Sequence, residues 1–256
     1  MTDQAPRSAA DRLLAVLAAF GHAGPALSLT EIGRRAGLTL PTTHRLVGLL
    51  SDWGALERDP DGLYHIGLRL WELGSLAPRG LALREAAMPF LEDLYEATHE
   101  NVQLAVRDGL EVVYIERISG RSAVGVRTAV GARWPLHATG VGLVLLAHST
   151  PEVQDQYLAR ELAAFTPYTV TDPVRLRRLL AEVRRAGVIV SDRQITADAV
   201  SVAAPVRGGR GKVVASVSVV VPAEGAAPSP LTPSALAPAV RVAGLGISRA
   251  LGRTST

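Results

Sequence analysis

The chain changes hydrophobic period at Asn101, and this limits what it can fold into more than any other feature. Before Asn101, apolar residues recur at helical spacing. Leu13, Leu14, Leu17 and Phe20 share one face of residues 11–20, a Gly/Pro stretch (21–26) stops that helix, and Leu68–Leu76 and Leu81–Thr98 keep the same rhythm around Pro78-Arg79-Gly80. After it, NVQLAVRD, the Asp108-Gly109 turn and LEVVYIERI alternate with period two, as a hairpin does. Ala123–Val130, Val188–Val190, Val200–Val206 and Val213–Val221 read as further strands. Trp134-Pro135 is expected to break the third strand, and Gly208-Gly209-Arg210-Gly211 to turn between the last two. Helices are expected in HATGVGLVLLAHS, after Thr150-Pro151, from Asp172-Pro173 to Arg185, and at about 232–251 beyond a Pro/Ala-rich loop (222–230). One antiparallel sheet with segregated helices, preceded by a helical segment, is an α+β chain. Its 256 residues allow two domains.

Upstream of the switch, two short helices meet at a glycine. Ser28-Leu29-Thr30-Glu31 is a capping box, in which the Ser28 hydroxyl accepts from the Glu31 N–H and Glu31 reaches back. Ile32 and Ala36 continue the apolar stripe, Gly37 supplies the positive φ that ends the helix, and Leu38 tucks under the turn. Thr39 caps the next helix with Pro41 in its first turn; Leu46, Leu49 and Leu50 form the buried face, and Trp53-Gly54 ends it. Ala55–Arg58 and Leu63–Ile66 flank Asp59-Pro60-Asp61-Gly62, a strong turn signal. Helix, tight turn, helix and small hairpin together make a winged helix-turn-helix. An ordinary helical hairpin uses the same caps, so the polar run Thr42-Thr43-His44-Arg45 carries the DNA reading.

Composition says less about partners than it first suggests. The formal charge is +3, and Lys212 is the single lysine, so the arginine bias is a weak signal for nucleic acid. Arginines and acids balance over residues 1–80, but Asp52, Glu57, Asp59 and Asp61 all lie beyond Arg45, which leaves the start of the second helix basic. The absence of cysteine excludes disulfides and thiolate metal sites. His22, His44, His65, His99, His137 and His148 show no helical metal spacing, so neither a metal nor a cofactor is expected. Apolar runs such as Val141–Ala147 are too short to span a bilayer, and MTDQAPRSAADR has no apolar signal segment. A cytoplasmic location with no membrane partner is expected. GxSxG, HExxH and Walker motifs are lacking, and Gly209-Arg210-Gly211-Lys212 has the wrong spacing for a phosphate loop. Asp192 and Asp198 lie where carboxylates are ordinarily solvated, so no catalytic residue is assigned and the chain does not read as an enzyme.

Five segments, in this order and at this spacing, resemble the IclR family of bacterial transcription regulators. They are LTEIGRRAGLTLPTTHRLVGLL (29–50), ERDPDGLYHIGLRLWELG (57–74), LREAAMPFLEDLYEATHENVQLAVRDGLEVVYIERISG (83–120), VGARWPLHATGVGLVLLA (130–147) and SVAAPVRGGRGKVVASVSV (201–219). The resemblance spans almost the whole chain. It implies a winged helix-turn-helix at 1–67, linker helices at 68–98 and an effector-binding domain at 99–252, GAF-like, with an antiparallel sheet and flanking helices. It also implies a homodimer or homotetramer on palindromic double-stranded operator DNA. Departures fall in the sensing half. Ser191-Asp192-Arg193-Gln194 replaces a frequent acidic run, Asp198 a glycine, Ser201 a frequent cysteine, and Gly142-Leu143 a common Gly-Lys.

The expected DNA-binding set is Ser28, Thr30, Arg34, Arg35, Pro41, Thr42, Thr43, His44 and Arg45, with Arg45 and the threonines freest to meet bases. Arg34 and Arg35 suit phosphate contacts, and equally suit the negative end of their own helix. The expected effector set is Arg133, His137, Thr139, Gly140, Val141, Ser191, Asp192, Ser201 and Ser218. Of these, Gly140, Val141, Ser191, Ser201 and Ser218 come from the resemblance, and Arg133 or His137 would form a cationic wall. Backbone N–H groups at a glycine-lined helix start favour an anion, so the effector is expected to be an organic or aromatic carboxylate. Leu83, Met88, Leu91 and Leu94 are expected to contribute a subunit interface. Two other classes stay open: a ligand sensor whose helix-turn-helix serves protein contacts, and an enzyme on a GAF-like scaffold.

Overall fold

The computed structural model describes residues 8–21, 24, 26–77, 80–120, 123–125, 128–223 and 232–254. Parts of three expected stops (22, 23 and 25 of the Gly/Pro stretch, Pro78-Arg79, and 224–230 of the Pro/Ala-rich loop) lie outside them. The chain divides into two compact units, residues 1–81 and 82–256.

The first unit holds α1 (Ala9–Ala18), α2 (Leu29–Ala36), α3 (Leu40–Asp52), the hairpin β1 (Leu56–Arg58) and β2 (Tyr64–Ile66), and α4 (Leu68–Ser75). Local chemistry sets these boundaries. The Ser28 hydroxyl accepts from the Glu31 N–H at 3.2 Å, and Gly37 ends α2 at φ 64°. The reverse half of the expected box is missing, because the Glu31 carboxylate holds Arg34 and Arg35 instead, at 2.7 and 2.5 Å. Thr39 is at the cap of α3, but its hydroxyl meets Thr42 Oγ1 at 3.0 Å rather than a backbone N–H. Val16, Ile32, Leu46, Val47, Leu50 and Leu56 fill the core. Leu49 does not join them and is 52% exposed. At 3.6 residues per turn, positions 43, 46, 47 and 50 share one face and position 49 falls well off it.

The second unit begins with α5 (Leu81–Thr98) and continues through β3 (Asn101–Asp108), β4 (Glu111–Ile118), β5 (Arg133–Pro135), α6 (Gly140–Ala147), α7 (Pro151–Leu158), α8 (Pro173–Ala186), β6 (Ile189–Asp192), β7 (Ala199–Arg207), β8 (Val213–Pro222) and α9 (Pro233–Thr254). All strand pairs are antiparallel, in the order β5-β4-β3-β8-β7-β6. Alternation sends Val102, Leu104, Val202 and Val219 to the face covered by α5 and α9. The neighbours between them, Gln103, Ser201, Ser218 and Val220, face the other way, toward α6.

Three expectations change here. Leu83, Leu91 and Leu94 are buried against the sheet, with Met88 partly so, and are not available as a subunit interface. The described residues of 123–130 form no strand, since the Asn101 and Arg117 side chains take the Val124 and Thr128 carbonyls that a ladder would need. The strand beside β4 is Arg133–Pro135, where a break was expected. Its proline is tolerated because β5 is the edge of the sheet. No described helix is long and apolar enough to cross a membrane.

Candidate functional site

In the first unit, the exposed side of α3 carries Pro41, His44 and Arg45, with Thr42 half-buried beside them. Arg45 makes no ion pair or side-chain hydrogen bond among the described residues, so its guanidinium is available for bidentate recognition of a base edge. Ser28 and Thr30 are exposed at the start of α2.

Two members of the expected DNA set turn inward. Thr43 is fully buried; its hydroxyl donates to the Thr39 carbonyl at 2.9 Å and its side chain packs against Gly33. Arg35 is largely covered, pairing with Glu31 and donating to the Ala19 carbonyl at 3.2 Å, so it ties α2 to α1. Arg34 is exposed but grips Glu31 through two bonds of 2.8 and 2.7 Å. These two arginines pull the Glu31 carboxyl down to about 2. The wing turn is closed by Asp59, which accepts from the Leu63 N–H at 2.8 Å and meets His65 Nε2 at 2.7 Å. The His65 bond lowers the Asp59 pKa. Arg58, stacked over the Tyr64 ring at 5.6 Å, adds an exposed cation to the wing that the sequence reading passed over.

In the second unit a cavity lies between the start of α6 and the sheet, with about 480 Å³ of atom-free space, part of it open to solvent. Gln103, Val220 and Ser201 form its floor, Thr139 and Gly140 its roof, and Ser191 and Gln194 one wall. Trp134 of β5 and Thr196, just after β6, reach it from opposite edges of the sheet, so the sheet curls around it. Thr139 caps α6 by accepting from the Gly142 N–H at 3.1 Å, which leaves the N–H groups of Gly140 and Val141 without intrahelical partners. A Cβ at 140 would stand 2.7 Å from Ser201 Oγ and 3.1 Å from Ser201 Cβ, so a larger residue there would push on the Ser201 side chain and into the cavity.

Thr139, Gly140, Ser191 and Ser201 of the expected effector set therefore meet at one cavity. Ser218 is buried on the same sheet face, its hydroxyl without a partner among the described residues, but it does not line the wall. Four others do not belong. Alternation along β5 turns Trp134 in and Arg133 out, where Arg133 pairs with Asp108 at 2.5 Å and Glu111 at 3.2 Å. His137 is buried among core groups, with Nδ1 2.8 Å from the Tyr157 hydroxyl and Nε2 2.9 Å from the Ala163 carbonyl. Burial lowers its pKa. Val141 packs with Leu143 and Leu145 in the core, and Asp192 is exposed and paired with Arg193 at 2.8 Å. The expected cationic wall is absent: no Lys, Arg, His, Asp or Glu lines the cavity among the described residues. No metal-ligating cluster occurs among them either; His22 lies outside them.

Most polar groups of the lining satisfy one another. Gln103 Nε2 donates to Thr128 Oγ1 at 2.6 Å; Gln194 donates to Ser191 Oγ at 3.2 Å and accepts from the Val170 N–H at 3.2 Å. Tyr114 bonds Thr139, and burial raises its phenol so that it stays protonated. Two buried atoms, Trp134 Nε1 and Thr196 Oγ1, have no partner among the described residues. An unmet buried donor costs about 1–3 kcal/mol, so such atoms mark where a ligand gains most. Sequence reasoning missed Gln103, Trp134, Gln194 and Thr196. A glutamine inside the otherwise apolar β3 run was the one available signal.

Two family models match: the IclR helix-turn-helix domain over residues 9–60 and the bacterial transcriptional regulator IclR C-terminal domain over residues 77–249. The chain is 33% identical to the HTH-type transcriptional regulator KipR of Bacillus subtilis, over 80% of this chain and 82% of that one. It is 30% identical to the HTH-type transcriptional regulator XynR of Escherichia coli, over 94% and 96%. A crystal structure of an IclR homologue from Microbacterium hydrocarbonoxydans, complexed with 4-hydroxybenzoate, superposes with a TM-score of 0.85 at 39% identity, covering 95% of this chain and 99% of that one.

Proposed function

The chain belongs to the IclR family of bacterial transcriptional regulators, and from that premise we propose that α3 and the wing bind operator DNA under the control of a small organic acid held beneath α6. The observation that carries the effector reading is the cavity at the start of α6, where a glycine roof exposes backbone donors and the lining has no charge among the described residues. An anionic oxygen is stabilised by the N–H groups and dipole of a helix start, while Val220, Ala199 and Ile195 suit an apolar body. The homologue complexed with 4-hydroxybenzoate supports an aromatic acid of that size. On the DNA side, Arg45 is the base-reading candidate, with Thr42, His44 and the start of α2 on phosphates.

We further propose that the subunit contact uses α4 and not α5. Leu68, Trp71, Leu73 and Leu76 are 61, 65, 52 and 77% exposed, whereas the apolar stripe of α5 is consumed by its own core. A two-fold operator needs such a contact.

Fluorescence anisotropy on DNA fragments from upstream of the gene, with and without 4-hydroxybenzoate, tests the reading. Salt-resistant binding to one fragment, altered by the acid, is the expected result. Binding that is equal on every fragment, or unmoved by any aromatic acid, would overturn it.

A further inference from the structure

Two lining residues of the proposed effector cavity carry a buried polar atom without a partner among the described residues, and the two differ in chemistry. Trp134 Nε1–H can only donate, whereas the Thr196 hydroxyl can donate or accept. Both atoms are buried, both residues line the same cavity, and they come from opposite edges of the curled sheet. The Trp134 ring is held edge-on by Phe165, with centroids 5.9 Å apart at 65°, so the indole is not free to swing and seek another acceptor. Neither atom suits the carboxylate best, because the N–H of Gly140 at the start of α6, which has no intrahelical partner, is proposed to provide for that charge.

We infer that Trp134 and Thr196 read a hydroxyl on the effector, which makes them the specificity-determining pair and the effector a hydroxylated aromatic acid. A hydroxyl is the simplest group that accepts from a donor-only indole and also gives its own proton to the Thr196 oxygen. An unsubstituted ring leaves both atoms unmet. The inference rests on the carboxylate reading of the cavity and adds to it which residues of this chain tell a hydroxylated acid from a plain one.

Calorimetric titration of the full-length protein with benzoate and its 2-, 3- and 4-hydroxy isomers separates the two. For wild type, one hydroxy isomer is expected to bind at least about tenfold more tightly than benzoate, because a site built to bond a hydroxyl rejects the analogue lacking it. Trp134→Phe is expected to bring that ratio to within about twofold, since the ring remains and only the donor is lost. Thr196→Val, nearly isosteric, is expected to narrow the ratio too, and it supplies the answer if Trp134→Phe fails to fold by circular dichroism. A hydroxy preference that survives both substitutions overturns the inference, and so does an equal loss for benzoate and its hydroxy isomers. Wild type binding benzoate as tightly as every isomer overturns it while sparing the carboxylate reading. Binding of none of the four overturns both.

Discussion

Gly33 of α2 and Thr43 of α3 are packed so closely that a Cβ on Gly33 would stand 2.9 Å from Thr43 Oγ1 and 3.4 Å from the Leu38 carbonyl. This contact brings the two helices of the helix-turn-helix together, and it removes Thr43 from the exposed face of α3. Gly33→Ala is therefore expected to destabilise the first unit by about 1–3 kcal/mol, the usual range for overpacking a tight core. Chemical denaturation checks it. An unchanged midpoint would mean that the helices separate without cost.

Arg35 and Arg45 should part company when each is replaced by alanine. Arg45 has no protein partner among the described residues, so Arg45→Ala is expected to weaken operator binding by about 1–3 kcal/mol with stability unaltered. Arg35 binds Glu31 and the Ala19 carbonyl, so Arg35→Ala should lower the melting temperature of the first unit. Anisotropy and thermal melts on both variants decide. Wild-type operator affinity in Arg45→Ala would remove it from the interface.

Acid should loosen the second unit before it affects most carboxylates. Burial lowers the pKa of both His137 and His148 from the ordinary 6.5. The unfolded chain then binds more protons than the folded one once the pH falls below that value. Their stabilising contribution is complete above about 6.5 and is lost as the pH drops toward the depressed folded values. The melting temperature should decline over that window, and His137→Asn should decline less steeply. A wild-type profile that is flat below pH 6.5 would contradict this.

Caps, glycine turns and strand alternation carried most of the architecture. Ser28, Gly37, Asp172 and Gly187 mark helix ends by local chemistry that a sequence displays directly. Side-chain direction was harder to read. Thr42-Thr43-His44-Arg45 is equally polar whether it faces water or a neighbouring helix, and only the packing against Gly33 singles out Thr43. At the cavity under α6, the charged Arg133 and His137 carry the obvious sequence signal, whereas the neutral Trp134 next to a proline reads as a strand break. The register of a three-residue edge strand decides between Arg133 and Trp134, and composition does not reveal it. Long-range pairing was equally hidden. Asn101 and Arg117 bind the carbonyls of 124 and 128 from separate strands, so a segment of strand-like composition forms none among its described residues.

The α4 surface makes the oligomeric state testable. Trp71 of α4 and Leu76 just beyond it are 65 and 77% exposed, and α4 has no buried residue, more apolar surface than an isolated helix carries without cause. Trp71→Glu with Leu76→Glu is expected to shift the protein from dimer to monomer in sedimentation and to cost operator affinity. The corresponding change on α5, Leu91→Glu, should instead unfold the second unit, because Leu91 is fully buried. Monomeric wild type at micromolar concentration would refute the α4 contact.

The glycines of the α6 roof separate loss of ligand from loss of fold. At Gly140 the nearest atoms to an added Cβ belong to the Ser201 and Ser191 side chains, which border the cavity. At Gly142 an added Cβ would collide with the Leu136 backbone carbonyl, which cannot move without unmaking the turn into α6. Gly140→Val should therefore fill the space where the carboxylate is proposed to sit. The melting-temperature rise on adding an aromatic acid should vanish while operator binding survives in the first unit. Gly142→Ala should lower stability with or without ligand, by about 1–3 kcal/mol or more. Thermal melts with and without 4-hydroxybenzoate, paired with anisotropy on the operator, read out both effects. A normal ligand response in Gly140→Val, in a protein that is folded and binds DNA, would place the effector elsewhere in the second unit.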